Sequence, residues 1–164
     1  MANQKQLDLL SSGKTLWGKW RRAYPDVQAV EPDLHGADLH GVDLHGVDLH
    51  GADLTEANLQ GADLREADLR EADLRNANLR SANLSDAHLQ KACLRWADLR
   101  DANLCRTNLT GADLSKTDLR GSDLDGALLG KAIFDEASLS GVDLNGVDLS
   151  EADVRGSVRT GTRA

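Results

Sequence analysis

A leucine recurs at every fifth residue along most of this chain, and that period limits the folds open to it. The leucine column starts at Leu34 and runs without an insertion to Val154, which makes 25 consecutive pentapeptides. Leu is the central residue in 23 of them, and the exceptions are Phe134 and Val154. In an α-helix, successive members of this column would be rotated by about 140°, so no apolar face could form. The period therefore indicates a repeated strand-and-turn unit.

The unusual composition, with 28 Leu, 21 Ala and 21 Asp among 164 residues, follows from the repeat. The position two residues before the central Leu is Ala in 17 repeats, and the position between them is mainly Asp or Asn. In a three-residue strand the Leu and the Ala would both point inward and the Asp or Asn outward. The last two residues must turn the chain, and Gly in 11 of the 25 second turn positions suits the positive φ of a type II turn. Repeats with Glu56, Glu66, Glu71 or Asp101 at that position are predicted to use another turn geometry.

Units such as Ala52-Asp53-Leu54, Ala57-Asn58-Leu59 and Ala67-Asp68-Leu69 match the pattern A(D/N)LXX. On these units the chain resembles the pentapeptide-repeat family from Pro32 to Gly156. The resemblance implies an all-β solenoid, the right-handed quadrilateral β-helix known as the repeat-five-residue fold, with one pentapeptide on each side. With about 20 residues per coil, the 25 repeats would make about six coils and a rod of roughly 30 Å.

Residues 1–31 follow a different pattern, in which apolar and aromatic residues have near-helical spacing: Leu7, Leu10, Leu16, Trp17, Trp20 and Tyr24. Gly13 is predicted to bend or interrupt this helix, and Pro25 to end it. The segment Leu-Trp-Gly-Lys-Trp-Arg, followed by Tyr-Pro-Asp, resembles the N-terminal helical cap of cyanobacterial members of the family. We expect residues 1–31 to cap the exposed first coil, residues 32–156 to form the β-helix, and residues 157–164 to form a flexible tail.

The histidines and cysteines do not predict a metal site or a disulfide. Repeats one unit apart lie on successive sides of a four-sided coil, so four histidines of the first coil would point in four directions: His35, His40, His45 and His50. Cys93 and Cys105 belong to units two sides apart, which is too far for a disulfide bond. Two separate thiols suit a reducing cytoplasm.

Charge and hydropathy narrow the function classes. The net charge of −8 argues against direct nucleic-acid binding, which normally uses a basic stripe. No apolar stretch approaches the roughly 20 residues that cross a bilayer, and the first residues lack an export-signal pattern, so we expect a cytoplasmic protein. No nucleophile, base and orienting residue can be placed together, and no glycine-rich phosphate loop occurs. We therefore expect neither catalysis nor a cofactor.

The outward acids are predicted to stack in columns, with Asp33, Asp53 and Asp73 on one side and Asp43 and Asp63 on another. Asp and Asn at these positions are expected to accept hydrogen bonds from nearby backbone.

The resemblance also implies a second interpretation of the acids. The family's gyrase-directed members, the Qnr and MfpA proteins, are expected to mimic the DNA duplex with an acidic rod. Residues 32–156 hold 24 acidic and 12 basic side chains, a net charge of −12. Duplex DNA of roughly 30 Å carries about 18 charges, so the total is of the right order. However, Arg80, Arg100 and Arg120 are predicted to form a column that interrupts the acids.

Some outward positions carry apolar residues instead of the expected polar ones: Cys93, Trp96, Leu128 and Ile133. On a four-sided coil, Cys93, Trp96 and Ile133 are predicted to lie on or beside one side and Leu128 on the adjoining side. Together they form the candidate partner patch. The sequence thus predicts a rigid, acidic, non-catalytic rod that binds an unidentified protein. The alternatives are a DNA-mimicking modulator of DNA gyrase, and a membrane-peripheral scaffold held by the N-terminal helix. The uncovered last coil further predicts a weak end-to-end dimer.

Overall fold

A computed structural model describes residues 2–23, 31–144 and 146–160. From residue 31 onward the chain winds in regular coils, and the outward residue of a unit forms a parallel β-bridge with the residue 20 positions later. Asp33 thus pairs with Asp53, and Asp53 with Asp73. Because each unit has five residues, this spacing gives the four sides that the family resemblance implies.

The four sides are numbered in chain order. The first side carries the units centred on Leu34, Leu54 and every twentieth residue after them. The second, third and fourth sides begin with the units centred on Leu39, Leu44 and Leu49.

Two kinds of backbone hydrogen bond build the coils. Between coils, the Leu34 N–H donates to the Asp53 carbonyl and the Asp53 N–H donates to the Pro32 carbonyl, both at 2.8 Å. Within a coil, the Ala37 N–H donates to the Leu34 carbonyl at 2.9 Å and closes a four-residue turn. The described residues contain these isolated bridges and two helices, because a unit of five leaves only about three residues for each strand.

The prediction of a second turn geometry at non-glycine corners is wrong. Gly36 has a φ of 64°, and Glu56, Glu66, Glu71 and Asp101 have φ values of 59°, 56°, 59° and 58°. The corner N–H also belongs to the ladder: that of Gly36 donates to the residue 55 carbonyl at 2.8 Å, and that of Glu56 to the residue 75 carbonyl at 2.9 Å. Non-glycine corners that pair with the next coil therefore take the same left-handed conformation as glycine, at a cost of about 1–2 kcal/mol for an L-residue.

The core consists of the two inward columns. The central residues are almost fully buried from Leu34 to Leu139, including Phe134, and the alanines of the small column are buried with them. Three small inward residues carry hydroxyl groups, and each donates to a leucine carbonyl at 2.6–2.7 Å: Thr107, Thr117 and Ser122. These hydroxyls are buried without loss of hydrogen bonding.

Two short helices cover the first coil. Helix α1 (Gln4–Ser11) and helix α2 (Lys14–Ala23) are separated at Gly13. Gly13 has a φ of 102° and interrupts the helix, as predicted. Trp17 and Leu10 are buried, and Leu7 and Trp20 pack partly buried against the same core. The predicted cap residue Tyr24 and the predicted stop at Pro25 lie outside the described residues.

The cap also pairs the open backbone edge of the first coil. The Asn3 N–H donates to the Asp33 carbonyl at 2.8 Å, and the Gln6 side-chain oxygen accepts from the Asp33 N–H at 2.6 Å. Trp17 Nε1 donates to the Asp48 carbonyl at 2.6 Å, and Arg21 donates to the carbonyl of residue 50 at 2.8 Å. Edge groups that would otherwise be exposed thus have partners in the cap.

At the other end, the ladder continues beyond the predicted boundary at Gly156. Val158 forms a bridge with Ser138, and the Gly141 N–H donates to the Thr160 carbonyl at 3.1 Å. The predicted start of the flexible tail, residue 157, therefore lies too early in the chain. Backbone pairing continues there because it does not need the consensus side chains. Residues 161–164 lie outside the described part of the chain.

Candidate interaction surface

The outward Asp and Asn column has a local structural role, as predicted. A side-chain oxygen of the outward residue accepts a hydrogen bond from the N–H two residues later. Examples are Asp33 with the residue 35 N–H at 3.2 Å, Asn103 with the Cys105 N–H at 2.9 Å, and Asp113 with the Ser115 N–H at 2.9 Å. This Asx-type turn satisfies a backbone donor that the ladder does not use.

Arginines pair with many of the same carboxylates. Where Arg follows an outward Asp by two residues, the two form an ion pair with N–O distances of 2.5–2.6 Å at Arg65, Arg70, Arg75, Arg100, Arg120 and Arg155. The hydrogen bond from Arg65 holds the pKa of Asp63 below its usual value, and the bond from Arg70 does the same to the pKa of Asp68. The acid columns are therefore largely neutralised along the middle of the rod.

The predicted arginine column lies on the second side. Arg100 contacts Asp98 at 2.5 Å and Asp118, one coil later, at 3.7 Å. Arg120 pairs with Asp118 at 2.6 Å, and Arg80 lies 3.6 Å from Asp101. Each guanidinium of this column therefore lies close to a carboxylate.

The histidines of the first coil occupy four different sides, and His35 Nδ1 lies 2.6 Å from Thr55 Oγ1. Within residues 2–23, 31–144 and 146–160, no three His, Cys, Asp or Glu side chains are placed to share a metal ion. Cys93 on the first side and Cys105 on the third side are free thiols. Burial and a hydrogen bond to Asp123 raise the pKa of Cys105 to about 11, so this thiol is protonated at neutral pH.

Three members of the candidate patch lie on or beside the first side. Cys93 and Ile133 both form bridges with Asp113, which lies between them and places a carboxylate inside the patch. Trp96 occupies the corner that follows Cys93, and its side chain is 47% exposed; Ile133 is 38% exposed. The fourth member, Leu128, is 56% exposed on the fourth side. Three members on one side and Leu128 on the adjoining side are the arrangement predicted for a four-sided coil.

Two cations that the sequence did not single out flank Trp96. The Arg95 guanidinium carbon lies 4.6 Å from the centroid of the indole ring, and Lys116 Nζ lies 6.0 Å from it. A spacing of 20 residues places Lys116 one coil after Trp96 at the same corner, so the coil length could have identified this neighbour. A shallow groove of about 510 Å³ adjoins this corner, with Arg95, Lys116 and Ile133 among its lining residues.

Trp96 is held in a backbone conformation that bulky residues rarely adopt. Its φ is 59°, and its N–H donates to the Ser115 carbonyl at 3.2 Å. Positive φ is uncommon for non-glycine residues and is an outlier for a bulky one. The corner therefore presents an aromatic ring to solvent at a conformational cost.

Comparison with known proteins identifies the repeat. A family model described as pentapeptide repeats matches residues 33–70, 62–101, 92–129 and 122–158. No functionally curated protein matches the sequence. Among solved structures, a trypsin-treated form of QnrB1, a plasmid-mediated fluoroquinolone resistance protein, is 22% identical with a TM-score of 0.50. That match covers 74% of this chain and 78% of QnrB1.

Two cyanobacterial proteins are also similar. HetL, involved in heterocyst differentiation regulation in Nostoc sp. strain PCC 7120, is 28% identical over 89% of this chain and 93% of its own, with a TM-score of 0.39. Rfr23 from Cyanothece 51142 is 29% identical over 77% of this chain and 87% of its own, with a TM-score of 0.37. In the part of the chain that the structure describes, neither helix has the length and apolar content needed to cross a bilayer.

Proposed function

Because the chain belongs to the pentapeptide-repeat family and folds as a right-handed quadrilateral β-helix, we propose that it is a non-catalytic interaction module that presents a rigid surface to a protein partner. The observation that carries this proposal is the corner occupied by Trp96. A large aromatic side chain is nearly half exposed there, on a backbone whose left-handed conformation costs an L-residue about 1–2 kcal/mol. Binding to a partner would bury the exposed ring of Trp96.

The surroundings of Trp96 suit a protein interface. Trp and Arg are enriched among the residues that dominate binding energy in such interfaces. Arg95 stacks over the indole and Lys116 approaches its ring, which restrains the ring before any partner arrives. Ile133 adds exposed apolar surface beside the adjoining groove. We propose that the first side, around Trp96 and Ile133, is the contact surface.

Paired charges make the gyrase-directed alternative weaker. A DNA mimic needs a continuous anionic track, whereas Arg65, Arg70 and Arg100 each neutralise an outward Asp. The similarity to QnrB1, at 22% identity, concerns the fold alone. A DNA gyrase supercoiling assay separates the two functions, since the proposed module is expected to leave supercoiling unchanged. Inhibition by the wild-type chain would favour the mimic.

The cap contacts weigh against a membrane scaffold. Trp17 and Leu10, which would have to insert into lipid, are buried against the first coil, while Leu16 on helix α2 is 46% exposed. Sedimentation with anionic vesicles tests this alternative. The intact chain is expected to remain in the supernatant, and pelleting that Leu16→Asp abolishes would favour the membrane scaffold.

The proposed contact surface is tested by quantitative affinity capture from native lysate. The double variant Trp96→Ala/Ile133→Asp is compared with the wild type and with Glu56→Ala. Glu56 is a suitable control because it occupies the same corner two coils earlier with the same φ of 59°. Loss of a hot-spot residue costs about 2 kcal/mol or more, so the partner is expected to fall roughly 30-fold with the double variant and to stay unchanged with the control. Equal recovery of every captured protein by all three chains would contradict the proposal.

A further inference from the structure

The parallel ladder is interrupted on the fourth side, after the coil that contains Leu128. Leu128 forms a bridge with Asn108 in the preceding coil. Among the described residues, it forms none with Asp148 in the following coil, although the neighbouring sides keep their bridges at Asp123–Asp143 and Ile133–Asp153. The last coil is thus separated from its neighbour on the fourth side.

Backbone groups at this gap lack the partners that their equivalents have one coil earlier. There the Leu109 N–H donates to the Leu128 carbonyl and the Gly111 N–H to the Gly130 carbonyl, both at 2.9 Å. The corresponding N–H groups of Leu129 and Lys131 have no such acceptor within the described chain. Among residues 31–144 and 146–160, the Ala127 carbonyl likewise receives no backbone donor from the next coil. The gap therefore leaves part of a strand edge without its hydrogen-bond partners.

Leu128 adds an apolar contact and removes a hydrogen bond. An Asp or Asn at this position would accept from the N–H of Gly130, as the outward residues of other units do, but a leucine side chain has no acceptor. Leu128 is 56% exposed and lines a cleft of about 380 Å³. The cleft is also lined by Thr110, Gly130, Asp148 and Glu151. Its volume falls in the range of ligand-binding pockets, about 300–1,000 Å³.

We propose that this cleft binds an extended peptide segment of a protein partner. The peptide backbone would pair with the open edge formed by Ala127, Leu129 and Lys131, an apolar side chain would lie against Leu128, and a Lys or Arg would face the carboxylates. Addition of a strand to an exposed edge is a recurrent mode of peptide recognition, in which main-chain hydrogen bonds provide affinity and side-chain pockets provide specificity.

The charges of the cleft determine the kind of peptide. Asp148 and Glu151 are both exposed at its rim, and a β-carbon added at Gly130 would lie 3.5 Å from Glu151 Oε2. A basic side chain is complementary to this rim, whereas an acidic peptide would be repelled. The cleft lies on the fourth side, away from the surface around Trp96, so this proposal stands independently of the proposed function.

Amide hydrogen exchange of the intact chain tests the gap itself. The amides of Leu129 and Lys131 are expected to exchange faster than those of Leu109 and Gly111, their equivalents one coil earlier. Equal protection of both pairs would mean that the ladder is closed and would overturn the proposal.

Titration of the ¹⁵N-labelled intact chain with the peptide acetyl-Lys-Val-Leu-Val-Lys-amide, whose Leu and Lys side chains share one face of a strand, tests the occupant. Shifts are expected at Leu129, Gly130 and Lys131, with a Kd of about 1 mM for so short a probe. Replacing both lysines by Glu, or N-methylating the central peptide nitrogens at unchanged charge, is expected to weaken binding about ten-fold or more.

The variant Leu128→Asn restores the residue type usual at this position. It should fold, give the Gly130 N–H an acceptor, and lose most of the peptide-induced shifts. Equal binding of the Lys and Glu peptides, or undiminished binding of the N-methylated peptide, would overturn strand addition. Shifts produced by a small apolar compound such as butanol but by none of the peptides would assign the cleft to a different ligand.

Discussion

Replacing Trp17 by Ala is expected to open the solenoid at its first coil. The indole is fully buried between helix α2 and the coil, and its Nε1 donates to the Asp48 carbonyl at 2.6 Å. Truncating a buried Trp to Ala costs about 3–5 kcal/mol through lost burial and the cavity left behind. The loss also leaves the Asp48 carbonyl without its donor. We therefore expect the free energy of unfolding to fall by about 3–5 kcal/mol.

The variant Trp17→Phe separates the two contributions. Phe keeps most of the apolar contact but cannot donate to Asp48, so we expect a loss of about 1–3 kcal/mol, the usual penalty for a buried acceptor without a partner. Leu16→Ala is the matched control, because Leu16 lies on the same helix and is 46% exposed. It is expected to change stability by about 0.5 kcal/mol at most.

Urea unfolding of the three variants, followed by far-ultraviolet circular dichroism, measures these differences. Each coil contacts only its neighbours, so loss of the cap could also unfold the first coil separately, which would appear as a lower m-value. If Trp17→Ala costs no more than Leu16→Ala, the helices are dispensable for the β-helix and the capping argument fails.

Three further outcomes follow from individual contacts. Glu66→Gly is expected to raise the free energy of unfolding by about 0.5–1 kcal/mol, because relief of the left-handed corner exceeds the entropy cost of glycine; a loss of stability in urea would contradict this. In a Cys93→Ser background, Cys105 is expected to react with iodoacetamide at a rate that keeps rising up to about pH 11, whereas a plateau above pH 9 would disprove the raised pKa. The hydrogen bond from Arg65 lowers the pKa of Asp63 in the folded state. The ion pair therefore stabilises the fold at pH values above about 3.9, the ordinary pKa of Asp. This stabilisation is lost as the pH falls through the lower pKa that Asp63 has in the folded state. The urea midpoints of wild type and Arg65→Gln should therefore differ at pH 6 and converge as the pH falls below the lowered pKa of Asp63, and a constant difference would refute the assignment.

The repeat was predictable because burial selects side chains with a fixed period. The inward Leu and Ala columns and the outward Asp and Asn column follow from a period of five, and the number of sides came from the family resemblance. The hydrogen bond of the outward residue was also predictable from turn chemistry. Asp113, which accepts from the Ser115 N–H at 2.9 Å, is an example.

The corners were not predictable from local preference. Residues such as Glu66 and Trp96 disfavour positive φ, yet each donates its N–H to the next coil in the same way as glycine does. Tertiary hydrogen bonding in the ladder overrides the local preference. The extent of the ladder was misjudged for the same reason, because Val158 departs from the repeat pattern but its backbone still pairs with Ser138.

The members of the interaction surface were identifiable as departures from the repeat, and a four-sided coil groups them as the structure does. Cys93, Ile133 and Trp96 share one side, with Asp113 between the first two. The gap beside Leu128 left no signal in the sequence, because the unit around Asp148 fits the repeat pattern. A missing β-bridge is a property of two coils together, which a one-dimensional pattern does not record.

The apolar residues that replace Asp or Asn in the outward column have a common consequence. An Asp or Asn there satisfies a turn N–H, so an apolar replacement gives up a hydrogen bond and exposes apolar surface in one substitution. Between Pro32 and Gly156 this happens at Cys93, Leu128 and Ile133, all on the first or fourth side and all in the C-terminal half. An uncapped N–H next to an apolar side chain costs a free rod stability, but it supplies a donor and a contact to a bound chain. Such positions are therefore candidates for contact with a partner, and the two proposals place such contacts on separate parts of these adjoining sides.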